Sequence, residues 1–65
     1  MKVRYFEDTD TLYIELKHEQ PDRTEELNEN VLLELDSTGK VIGLTIEHAK
    51  REAGKLDFSY ETVAA

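Results

Sequence analysis

Apolar and polar residues alternate with a period of two over much of this chain, most clearly between Asn30 and Glu47. Val31, Leu33 and Leu35 alternate with Leu32, Glu34 and Asp36. After Asp36-Ser37-Thr38-Gly39-Lys40 the alternation resumes, with Ile42, Leu44 and Ile46 on one side and Val41, Gly43 and Thr45 on the other. This pattern predicts two antiparallel strands sharing a buried face. Asp36 can bond forward to the backbone and Gly39 can take a left-handed conformation, which together predict a hairpin turn with a bulge. A similar ribbon opens the chain. Lys2 to Phe6 reads as a strand, Glu7-Asp8-Thr9-Asp10 as a polar turn, and Thr11 to Leu16 as a second strand whose apolar face is Leu12, Ile14 and Leu16.

Between the ribbons the pattern fades. Lys17 to Asn30 is polar, and Pro21 has no amide proton for a ladder, so this stretch reads as a loop carrying one short edge strand near Thr24 to Leu27. After Ile46 the residues become helix formers. Glu47–Arg51 and His48–Glu52 are spaced to meet on a helical surface, and Gly54 supplies a left-handed stop. Residues 1–54 are therefore expected to form one β-rich α+β domain: a four-stranded, mainly antiparallel meander followed by a short C-terminal helix. Residues 55–65 read as a tail in which Leu56, Phe58 and Tyr60 alternate with Asp57, Ser59 and Glu61, expected to close over its own domain, swap onto a second copy or bind a partner.

Size sharpens this picture. A chain of 65 residues hides only about 60% of the surface that its unfolded form exposes, and such small scaffolds usually recruit a disulfide, a metal or a second subunit. There is no cysteine, which removes disulfides and thiolate zinc sites and suits a reducing cytoplasm. No apolar run is long enough for a membrane span or a signal-peptide core, so a cytoplasmic protein is expected. Self-association remains as support. Phe6, Tyr13, Leu32 and Val41 lie opposite the main apolar sets and are expected to form the subunit contact of a homodimer.

Fifteen acidic residues face eight basic ones, giving a net charge of −7. That surface repels a phosphate backbone, so the chain is not expected to bind nucleic acid by itself. It favours a basic protein partner, or simply keeps a small domain in solution.

Several segments together resemble the YuzE-like small prokaryotic family of domains of unknown function (DUF2283). They are Met1-Lys2-Val3-Arg4-Tyr5, Asp10-Thr11-Leu12-Tyr13-Ile14-Glu15-Leu16, Thr24-Glu25-Glu26, Asn30-Val31-Leu32-Leu33-Glu34-Leu35-Asp36, Gly39 to Glu47, and Ala49. The resemblance runs from about Met1 to Lys50 and leaves the tail uncovered. It implies a stand-alone β-rich domain with no established catalytic residues. It also carries the suggestion that members act as antitoxins toward small basic ribonuclease-like toxins encoded beside them.

Catalytic and metal chemistry finds little footing. Glu7, Asp8 and Asp10 lack the further ligands, glycine and distal glutamate of a calcium loop, so a polar turn is the better reading. His18 and His48, thirty residues apart, show no spacing that favours a metal or acid–base site. No Ser/His/Asp order, phosphate-cradling glycine loop or cysteine nucleophile can be assembled, and no cofactor is implied. Tyr5, Phe6 and Tyr13 lack a surrounding Lys/Arg groove and are assigned to packing. Gly43 inside a strand signals a bulge or the close approach of a ring, and Tyr13 is the ring expected there. The chain thus reads as non-catalytic. Charge favours a basic protein partner and the family resemblance implies a toxin-like one; the residues expected to bind it are Glu25, Glu26, Leu56, Asp57, Phe58, Tyr60 and Glu61. The alternative is a structural or small-ligand-binding homo-oligomer with Tyr13 and Gly43 lining a cleft at the subunit contact.

Overall fold

A computed structural model describes residues 1–64 of the chain; Ala65 lies outside them. Five strands, β1 (Lys2–Phe6), β2 (Thr11–Glu15), β3 (Arg23–Asn28), β4 (Val31–Leu35) and β5 (Val41–Glu47), precede one short helix, α1 (Ala49–Ala53). They form a single antiparallel sheet in the order β1-β2-β5-β4-β3. Both predicted ribbons are present. The four-stranded meander is corrected in two respects: the stretch after Pro21 is a full fifth strand, and β5 inserts between β2 and β4. The edge strand expected near Thr24 to Leu27 is present and longer, Arg23–Asn28; its full extent was not legible because an edge strand exposed along its whole length has no buried face to impose alternation.

The register sorts the side chains cleanly. Val3, Ile14, Leu44 and Leu33 lie in one row across four strands, and Tyr5, Leu12, Ile46 and Val31 in the next. This is the apolar face. On the other side run Arg4, Tyr13, Thr45, Leu32 and Glu26, beside the row of Lys2, Glu15, Gly43, Glu34 and Thr24. None of the eight residues in the two apolar rows is fully buried; the buried hydrophobic residues are Leu35, Ile42 and Ala49. Leu35 and Ile42 share the end of the sheet where the loop after β2 is anchored. There the Leu16 and Lys17 amides donate to the Ile42 carbonyl, and the Asp22 amide donates to that of Leu35.

Turns form as their residues dictate. Gly39 has φ +87°, and the Asp36 carboxylate accepts the Thr38 amide at 2.9 Å, the Thr38 hydroxyl at 2.6 Å and the Lys40 amide at 3.0 Å. These donors, led by the Thr38 hydroxyl, hold the Asp36 carboxyl down at about 2. The bulge sits beside this turn: Glu34 pairs with Gly43 but Leu35 pairs with Val41, leaving Ile42 as the extra residue.

Helix α1 is shorter than the expected run from Glu47 to Ala53. Glu47 belongs to β5, and His48 is left-handed at φ +58°, which excludes it from the helix. Gly54 stops the helix as expected, at φ +80°, with its amide donating to the Lys50 carbonyl at 2.6 Å. Among the described residues no helix is long and apolar enough to cross a membrane.

Candidate interaction surfaces

Adjacent residues on a strand point to opposite faces, and this divides the two carboxylates singled out on β3. Glu25 pairs with Leu33 at the rim of the apolar face, and Glu26 pairs with Leu32 on the polar one. Both are exposed on the sheet edge, where Leu27 is 63% exposed. The Arg23 guanidinium donates to Glu25 Oε1 at 3.3 Å. Glu26 makes no ion pair among the described residues. Among the described residues no strand pairs with the outer edge of β3, which makes it a ready template for an added strand that the flanking charges restrict to suitable partners.

The tail carries the other predicted binding residues. From Lys55 to Ala64 it forms neither helix nor strand. Leu56 is half-buried, while Phe58 is 50%, Tyr60 74% and Val63 77% exposed. Asp57 and Glu61 are exposed beside them. Two aromatic rings and two carboxylates thus stand in water along this segment.

Of the expected subunit-contact residues, Phe6, Tyr13 and Leu32 share the polar face by register. Val41 is displaced from their line by the bulge, which sets it opposite Leu35. Tyr13 crosses the central strand at Gly43 and donates its hydroxyl to Glu34 Oε2 at 3.0 Å. A Cβ at position 43 would stand 3.1 Å from that hydroxyl, which is the close ring approach expected of this glycine. Burial, then the Glu34 carboxylate, raises the Tyr13 phenol above 10. Glu34 as its partner was invisible in the sequence, because the two are joined only by the non-local pairing of β5 with both neighbours.

Asp10 likewise has a role beyond its turn that the sequence does not show. At φ +53° it turns its carboxylate to accept the Tyr5 hydroxyl at 2.7 Å, the Lys50 amide at 2.8 Å and the Arg51 amide at 3.1 Å. Its carbonyl accepts the Ala49 amide. The Tyr5 hydroxyl is the main cause that lowers the Asp10 carboxyl, and the same bond raises the Tyr5 phenol. The Asp10 carboxylate is thereby spent on fastening the helix. Elsewhere, His18 meets Glu15 at 3.2 Å on the surface and His48 meets Asn30 Oδ1 at 3.1 Å. Among the described residues no three His, Cys, Asp or Glu side chains gather as a metal site.

Comparison with known proteins adds one result. No match was found among curated proteins, and none among solved structures. The model of one family, described as a protein of unknown function, DUF2283, matches residues 2–50. This span takes in all five strands and reaches into the helix, so the chain belongs to the DUF2283 family.

Proposed function

We propose that this protein is a non-catalytic interaction domain whose partner is a small basic protein, and that it acts toward that partner as an antitoxin does. The observation that carries this reading is the presence of exposed carboxylates on an open sheet edge together with exposed aromatic residues on the tail. Glu25 and Glu26 line an open sheet edge, and Phe58 and Tyr60 stand between Asp57 and Glu61 in the tail. A net charge of −7 steers a basic partner toward such a surface, and aromatic groups buried on contact supply most of the affinity. A tail held in neither helix nor strand can be reshaped around a partner, which suits one that must be wrapped and released.

The test is binding to the product of the adjacent gene, measured by calorimetry on purified proteins. Glu25→Lys with Glu26→Lys should weaken the complex about tenfold or more, with a larger effect at low salt. Phe58→Ala with Tyr60→Ala should weaken it by a similar factor at all salt concentrations. A neighbour that is not basic, or that shows no binding at micromolar concentrations, removes this reading.

A further inference from the structure

We propose that the apolar face of the sheet is the interface of a homodimer in solution, a second copy of this chain covering the two rows that cross β1, β2, β5 and β4. Their members, such as Val3, Ile14, Leu33 and Leu44, are half-buried where the core of a closed domain would be dry. The molecule exposes 5173 Å². A compact monomer of 7.5 kDa exposes about 4,250 Å². The excess is roughly 900 Å²; the exposed tail accounts for part of it, and the sheet supplies the rest toward a stable interface of about 800 Å² a side.

Charge selects a second copy as the occupant. Each chain carries a net −7, so two copies can meet closely only where neither presents carboxylates. The apolar rows contain no charged side chain from β1 to β4, and Glu25 on β3 stands at their margin. The opposite face carries Lys2, Arg4, Glu15, Glu26 and Glu34, which a self-contact would have to strip of water. A basic partner gains nothing from an uncharged surface, whereas a two-fold self-contact requires only that the patch match itself. This dimer leaves the polar face exposed, so its existence does not depend on the heterologous partner proposed above.

Sedimentation equilibrium and thermal unfolding of the full chain, each over a range of concentrations, test the proposal. The expected result is twice the monomer mass, a midpoint temperature that rises with protein concentration, and tighter association as NaCl is raised from about 0.05 to about 0.5 M, because salt screens the repulsion between copies. Leu33→Asp should halve the mass. Val3→Asp on the edge strand is the readable variant if Leu33→Asp fails to fold. Phe6→Asp on the polar face, and Phe58→Ser with Tyr60→Ser in the tail, should leave the dimer intact. A monomer at all concentrations overturns the proposal. So does a dimer lost with Phe6 or with the tail aromatics but kept in Val3→Asp and Leu33→Asp.

Discussion

At the scale of single residues, Gly43 shows how a small side chain is required by something elsewhere. Tyr13 and Glu34 meet over it, and a methyl group there would press on both, at 3.1 Å and 3.3 Å. Gly43→Ala displaces a hydrogen bond worth about 0.5–1.5 kcal/mol but restricts the unfolded chain, recovering about 0.4–1 kcal/mol. Its net effect in urea unfolding should stay within about 1 kcal/mol. Gly43→Val has no such offset and should destabilise the fold by about 1–3 kcal/mol. Introducing Tyr13→Phe first should reduce the alanine penalty, since the bond that alanine displaces is already gone. The sequence alone identified the glycine and the ring; the carboxylate needed the three-dimensional pairing.

Among elements, legibility followed burial. The strands of the two ribbons announce themselves because one face of each is apolar, and the Asp36-to-Lys40 turn because its chemistry is local. β3 shows in the sequence only as a short strand within a loop because it borders solvent on both faces, and its central pairing residues, Thr24 to Glu26, are polar. Helix α1 was legible as a helix but not in extent, since the left-handed turn at His48 is imposed from outside by Asp10 and Asn30. A helix of five residues cannot persist by itself, so its anchor decides its fate. Asp10→Ala removes three hydrogen bonds to the carboxylate and places alanine in a left-handed backbone. It should abolish the helical part of the far-ultraviolet circular dichroism and lower the melting temperature by about 4 °C or more, while the sheet signal persists. Asp10→Asn, which tolerates that backbone, should fall between alanine and wild type.

For the whole molecule, pH sets two effects against each other. Lowering pH from 7 toward 5 begins to neutralise a chain of net charge −7 and relieves its self-repulsion. Below that, depressed carboxyl groups act in the opposite sense. Asp36 titrates at about 2 in the fold and at about 3.9 when unfolded, so the stability it contributes is complete above about pH 4 and disappears as pH falls toward about 2. Asp10 is lowered in the same direction. Urea midpoints should therefore hold or rise from pH 7 to 5 and drop below pH 4. Asp36→Asn should start lower at neutral pH and lose less on acidification. Equal acid sensitivity in the variant would show that this turn does not set the acid limit.

Placing the last strand in the middle of the sheet has a consequence for biosynthesis. β1–β2 and β3–β4 are separate hairpins, joined only by β5, and isolated hairpins are barely stable in water. Until residue 47 has left the ribosome the nascent chain has no keystone, and both halves wait as unassembled ribbons open to chaperones and proteases. A stalled or prematurely terminated message therefore yields no partly working product: this domain arrives entire or not at all.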